Sequence, residues 1–189
     1  MGRVSGDEEP GEAIIRAARP DDLPGIAAIY DHYVDVSTVT FDEEHRPLET
    51  WRAKLERLGG LGLPFLVLSG PEDAAGEVLG FAYVSPWREK RAYRFTAEST
   101  IYLAPHAAGR GHGRRLLDEL VAASERAGLR QLLAVVSDTG AEASTRLHTR
   151  AGFRQVGHLP DTGFKFGRWM GVVYLQRTLP RQRDAAAQG

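Results

Sequence analysis

Pro105-His106-Ala107-Ala108-Gly109-Arg110-Gly111-His112-Gly113-Arg114-Arg115-Leu116-Leu117 is the stretch on which the fold turns. Three glycines stand at alternate positions between an apolar run that ends at Leu103 and a helical run that takes in Leu116. Lacking Cβ atoms, such a backbone can turn sharply and leave its N–H groups uncovered. The helix that follows adds free N–H groups and the positive end of its dipole. Together these make a cradle for phosphate, and Arg110, Arg114 and Arg115 bring positive charge to it. The plainer alternative is a connector with a helix N-cap. The spacing is Gly-x-Gly-x-Gly rather than Gly-x-Gly-x-x-Gly, and the elements before it do not open a βαβ unit. That argues against a dinucleotide oxidoreductase. No Gly-Lys-Ser or Gly-Lys-Thr occurs, which excludes an NTPase phosphate loop.

Upstream of the loop, residues 93–103 read as one long strand. Tyr93, Phe95, Ala97, Ser99, Ile101 and Leu103 share one parity; Arg94, Thr96, Glu98, Thr100 and Tyr102 share the other. One face is mainly apolar, and the other sets a lone carboxylate among hydroxyls. Downstream, Leu116, Leu117, Leu120, Val121 and Ser124 mark the inner face of a helix that Gly128 ends. Residues 132–136 form an apolar run suited to a strand buried on both faces. Residues 142–151 predict a short helix capped by Gly152, and 153–158 and 169–179 predict two more strands. Towards the N-terminus, 13–17 is a strand. Pro20-Asp21-Asp22 starts a helix over 21–34. Pro47 opens a second helix with Leu48, Trp51, Leu55 and Leu58 on one stripe, ended by Gly59-Gly60. Residues 65–68 and 78–84 pair as a hairpin across the turn cluster at 70–73. The order β-α-α-β-β-β-α-β-α-β-β predicts a single α/β domain with a mixed sheet over 13–180. Residues 1–12 read as a disordered lead and 181–189 as a disordered tail.

Composition narrows the function further. The chain has 189 residues, 42% hydrophobic and 26% charged, which suits one globular domain. Lys plus Arg is 24 against 25 Asp plus Glu, a net charge of −1, so no basic excess marks a nucleic-acid binder. With no cysteine there is no disulfide framework, no thiolate zinc site and no Cys nucleophile. No apolar run reaches membrane-span length, the N-terminus is not a signal peptide, and the expected compartment is the cytoplasm.

Arg110-Gly111-His112-Gly113-Arg114 and its amphipathic helix resemble the acetyl-CoA pyrophosphate motif of the GNAT N-acetyltransferases, whose element order is the one read above. Ser85-Pro86-Trp87-Arg88 and Ala92-Tyr93-Arg94-Phe95-Thr96-Ala97-Glu98-Ser99-Thr100-Ile101-Tyr102 resemble the phosphinothricin and methionine-sulfoximine N-acetyltransferase branch. So do Ile29-Tyr30-Asp31-His32-Tyr33 and the stretch from Gly163-Phe164-Lys165 to Trp169. The resemblance covers residues 13–180. It implies the GNAT fold: a mixed, mostly antiparallel central sheet with helices on both faces. It also implies acetyl-CoA as co-substrate, no metal, a small-molecule amine acceptor and a homodimer. Arg110, Gly111, His112, Gly113 and Arg114 would bind the cofactor. Ala108 departs from the Gln or Arg usual in the loop, and Ala141 from an Asn common near the penultimate helix, so weaker contacts to CoA are expected.

Acetyl transfer to an amine needs the neutral amine, and alkyl amines are mostly protonated near pH 7, so a base must take a proton. Glu98 is the best candidate, and the resemblance places the family's base there too. The alternative is an exposed strand carboxylate with no role. His148 is the rival base, or the acid for the CoA thiolate, at the place where many GNAT enzymes carry a tyrosine; the alternative is a packed histidine. Without cysteine, direct attack in a ternary complex is the simpler route, and a backbone N–H near Leu103 would meet the oxyanion. Arg88, Lys90 and Arg91 crowd one loop, as carboxylate binders or as a solvated charge run. The resemblance assigns Arg88, Lys90 and Tyr93 to the acceptor site, with Phe41 as its aromatic lid and Val172 as a wall. For Phe41 and Val172 the alternative is core packing. Strict alternation puts Tyr93 opposite Glu98, so its part requires a bulge or bend. Two other functions stay open. One is a GNAT enzyme for a polyamine, aminoglycoside or protein N-terminus; the other is a non-catalytic acyl-CoA binding module.

Overall fold

Seven strands make one sheet, and helices pack on both of its faces. The computed structural model describes residues 12–70 and 76–180. Residues 1–11, 71–75 and 181–189 lie outside the described residues, and with them most of the expected lead, the expected tail and residues 71–73 of the turn cluster. The order is β1 (Ile14–Ala17), α1 (Leu23–Val36), α2 (Leu48–Gly60), β2 (Phe65–Ser69), β3 (Val78–Pro86), β4 (Thr96–Leu103) and α3 (His112–Arg126). Then come β5 (Gln131–Ser137), α4 (Glu142–Arg150), β6 (Arg154–Lys165) and β7 (Arg168–Thr178). In space the strands run β1-β2-β3-β4-β5-β7-β6. Only β4 and β5 are parallel neighbours; the other adjacent pairs are antiparallel.

The strand periodicity sorts the core into two layers. Phe65, Val67, Phe81, Tyr83 and Tyr102 face α1 and α2, against Ile26, Tyr30, Trp51 and Leu58. Leu66, Leu68, Ala82, Val84 and Ala97 face the other way, against Leu116, Leu117 and Leu120 of α3. Helices therefore cover both faces, as expected.

Three expectations change. The long strand over 93–103 begins only at Thr96, because Arg91–Tyr93 form a 3-10 helix and Arg94 and Phe95 continue it as a turn. Alternation therefore does not reach Tyr93. β5 is not buried on both faces: Leu132, Ala134 and Val136 are buried while Leu133 and Val135 are half-buried. The strand expected over 153–158 is longer, running to Lys165, while β7 keeps its expected length; the two meet through Phe166-Gly167, both at positive φ (52° and 73°), the backbone of a two-residue hairpin turn.

Trp51 is fully buried and stacks edge-on against Tyr30 and Phe81, at 5.3 and 5.6 Å, so it fastens α2 to α1 and the sheet. Trp51→Ala is expected to lower the unfolding free energy by about 3–5 kcal/mol, measurable as a lower urea midpoint.

Candidate active site

The site begins with a break in backbone pairing. Trp87 N–H donates to the Thr96 carbonyl (3.1 Å) and Ala104 N–H to the Leu79 carbonyl (2.9 Å). Backbone groups alternate edges along a strand, so the even-numbered residues of β4 spend theirs on β3. Ser99, Ile101 and Leu103 turn theirs the other way, towards β5. Yet β5 pairs with β4 only from Thr96↔Gln131 to Glu98↔Leu133. Beyond Glu98 the parallel strands part. Tyr33 donates its hydroxyl to the Leu103 carbonyl at 2.8 Å, and the Leu103 N–H faces the gap. Such an unpaired edge inside a sheet is a ready partner for an extended amide chain.

The gap belongs to a cavity of about 1140 Å³. The cavity reaches both faces of the sheet. On the α3 and α4 side its wall includes Ala108, Gly109, Gly111, Gly113 and Arg114, then Ala141, Ser144, Leu147 and His148. On the α1 and α2 side it includes Tyr30, Phe41, Asp42, Arg46, Lys54, Tyr83 and Glu98. Gly111 caps α3 with φ 79°, in the left-handed region that glycine adopts without a Cβ penalty. Gly113 is buried in the first turn of α3.

The expected residues divide. Glu98, His148, Leu103, Gly111, Gly113, Arg114, Phe41 and Val172 all line the cavity. Arg110 and His112 flank the loop without lining it, and Arg88, Lys90 and Tyr93 stand exposed outside the lining residues. The arginines of the loop are dispersed: Arg114 pairs with Asp118 and donates to the Arg150 carbonyl, while Arg115 turns away to the Ala13 carbonyl and Glu12. Only Arg114 of the three reaches the wall.

Glu98 is half-buried, and burial pushes its carboxyl up from the ordinary glutamate range, while the charges of Lys54 and Arg88 pull it back. His148 is buried beside Phe153, ring centroids 5.0 Å apart, and burial lowers its pKa. Its Nδ1 meets the Ser144 carbonyl at 2.9 Å; a carbonyl only accepts, so Nδ1 carries the proton. The buried Nε2 is then a lone pair with no partner among the described residues.

Lys165 holds the segment that leads into Phe41 and gave no signal in the sequence beyond family resemblance. It is buried, and its ammonium donates to the carbonyls of Ser37 (3.0 Å) and Thr40 (3.1 Å). These carbonyls flank the turn that leads into Phe41, whose ring lies over Gly163; a Cβ there would come within 2.3 Å of it. Thr38 adds a third anchor by donating to the Thr139 carbonyl at 2.7 Å. No group of three or more His, Cys, Asp or Glu suited to a metal occurs among the described residues.

A model described as the acetyltransferase (GNAT) family matches residues 26–153. The chain belongs to the GNAT family. It is 45% identical over 87% of its length to a phosphinothricin N-acetyltransferase of Alcaligenes faecalis, covering 82% of that protein. It is 38% identical over 92% of its length to an L-methionine sulfoximine/L-methionine sulfone acetyltransferase of Pseudomonas paraeruginosa, covering 98% of that protein. A GNAT phosphinothricin acetyltransferase of Sinorhizobium meliloti, solved in complex with acetyl-CoA, superposes with a TM-score of 0.83 at 36% identity, with 88% of each chain covered. This GNAT protein is accordingly an acetyl-CoA-dependent N-acetyltransferase.

Gly111→Ala forces a side chain into the left-handed region at a cost of about 1–2 kcal/mol. It is expected to weaken acetyl-CoA binding on the order of tenfold, read by calorimetry on the free enzyme.

Proposed function

We propose that this GNAT enzyme acetylates the α-amine of a small amino acid of the phosphinothricin, methionine sulfoximine or methionine sulfone kind. The observation that carries the reading is the pairing, in one cavity, of Glu98 on one face with the open glycine loop on the other. The open edge of β4 lies between them. The relatives named for those acceptors support the substrate class.

The residues divide the work. The glycine loop and the first turn of α3 present N–H groups to the pyrophosphate of acetyl-CoA, with Gly111, Gly113 and Arg114 on the wall and Arg110 and His112 flanking. The free N–H groups of β4 hold the extended arm of the cofactor as a missing strand would. The acceptor enters from the α1 and α2 face, beneath Phe41 and beside Val172, with Arg88, Lys90 and Tyr93 at the outer rim. Glu98, directly or through a water, takes one proton from the ammonium, and the freed nitrogen lone pair attacks the thioester carbonyl. The negative charge on that oxygen meets the Leu103 N–H. As the carbonyl reforms, the carbon–sulfur bond breaks and CoA leaves as thiolate. His148 lies on the donor side and, in its neutral Nδ1–H form, offers an acceptor rather than a proton. It serves better there as a hydrogen-bond acceptor or relay than as the thiolate acid.

Glu98 must be ionised to act. Its raised pKa means that kcat/KM falls with decreasing pH through a limb above the ordinary glutamate value of about 4.3. Glu98→Gln is expected to lower kcat by roughly 10²–10⁴ and to abolish that limb, with acetyl-CoA affinity kept. Thiol release with methionine sulfone as acceptor measures both, and unchanged turnover would remove Glu98 from the mechanism.

We propose a homodimer through the edge hairpin of β6 and β7. Phe164 and Trp169 form an edge-to-face pair there, yet they are 54% and 63% exposed, with Phe166, Leu159 and Val156 also exposed. Such a patch on an edge strand calls for cover. No helix is long and apolar enough to cross a membrane among the described residues, and we place the enzyme in the cytoplasm, with its donor. Light scattering should give twice the chain mass, and Trp169→Glu should shift it towards the monomer.

A further inference from the structure

Lys54 occupies an unusual place on α2. It lies three residues after Trp51 and four before Leu58, within the buried stripe rather than on the solvent side. A lysine in such a stripe ordinarily carries its ammonium out to water. Here the ammonium lies over the Tyr83 ring, 4.5 Å from its centre, and donates to Tyr83 Oη at 3.3 Å, on the cavity wall.

The strand register fixes what lies opposite. Tyr83 pairs with Thr100 and Ser85 with Glu98, so all four point to the same face. Glu98 and Tyr83 are offset by two residues along adjacent strands, roughly 7 Å. The α1 and α2 half of the cavity thus holds four charged side chains: Asp42, Arg46, Lys54 and Glu98. Arg46 is committed, with Nε 2.6 Å from Asp42 Oδ2 and its guanidinium 4.7 Å over the Tyr30 ring. Asp42 also accepts the Tyr30 hydroxyl at 2.9 Å. Among the described residues no carboxylate forms an ion pair with Lys54. What remains for a ligand is one ammonium and one carboxylate facing the same space.

That arrangement is the complement of a zwitterion. An α-amino acid carries its ammonium and carboxylate on one carbon. Laid between the two side chains, it directs the ammonium to Glu98 and the carboxylate to Lys54. We propose that Lys54 binds the acceptor's α-carboxylate and so makes the enzyme select amino acids over plain amines. The proposal rests on the amino acid reading above and supplies it with a carboxylate-binding group inside the cavity, where Arg88 and Lys90 do not reach.

Lys54 also bears on Glu98 directly, because its charge holds the carboxyl down against burial. Removing it disturbs the base equally for every acceptor, so the test must separate that effect from recognition. Wild type, Lys54→Met, Lys54→Gln and Lys54→Arg are compared on methionine sulfone and on its carboxamide by thiol release. The wild type is expected to prefer the free acid. Lys54→Met and Lys54→Gln should raise KM for the acid by on the order of 10- to 100-fold, and the preference for acid over carboxamide should collapse. KM for acetyl-CoA should stay put, and Lys54→Arg should restore part of the preference. Equal losses on acid and carboxamide would overturn the proposal, leaving Lys54 as a modulator of Glu98 or of packing. A preserved acid preference with lost discrimination of sulfone from thioether would also overturn it, since Lys54 would then read the acceptor's side chain. If the wild type acetylates neither compound, the amino acid reading itself fails and takes this inference with it. Turnover without a selective Lys54 effect fails the inference alone.

Discussion

Two parallel strands can share a ladder only while they stay about 4.8 Å apart, and β4 and β5 give up that spacing after Glu98. Everything functional follows from the separation. It leaves N–H and C=O groups of β4 unpaired in the middle of a sheet, where burial would ordinarily be costly. It also joins the two faces, so that α1 and α2 on one side and α3 and α4 on the other contribute to a single cavity. Tyr33 takes up one freed carbonyl, at Leu103, and in doing so ties α1 to the point of divergence.

Around that gap the chain places chemistry of opposite kinds. The glycine loop and helix dipole on one side suit the dispersed negative charge of a pyrophosphate. The other side carries discrete, opposed charges, with one ion pair already closed on itself between Asp42 and Arg46. Lys165 and Gly163 set the height of the roof, the first by gripping two carbonyls and the second by yielding room to the Phe41 ring. These are long-range contacts, more than a hundred residues apart in sequence.

Locality explains what the sequence made legible. The glycine loop was readable because its spacing and flanks lie within one short stretch. The common face of Glu98, Thr100 and Tyr102 was readable because a strand alternates strictly, and the register places Ser85, Tyr83 and Phe81 opposite them. The same rule misplaced Tyr93, since alternation was carried back through residues that form a 3-10 helix. The dispersal of Arg115 to the Ala13 carbonyl depends on β1 lying near α3, which no local pattern reveals. Lys54 carries no local mark of a site, and only the position of Tyr83 across the sheet shows where its ammonium goes. The parting of β4 from β5 has no signature of its own, because it reflects the absence of a contact between distant segments.

An opening that passes through a sheet also governs traffic. With donor and acceptor arriving from opposite faces, as proposed, neither blocks the other's way in, and each product withdraws along its own route. On the proposed reading, acetylated amine leaves past Phe41 and CoA backs out past α3. Geometry therefore imposes no obligatory sequence of arrival or departure. Any order that kinetics detects arises from coupling between the sites, through strand β4 that both share.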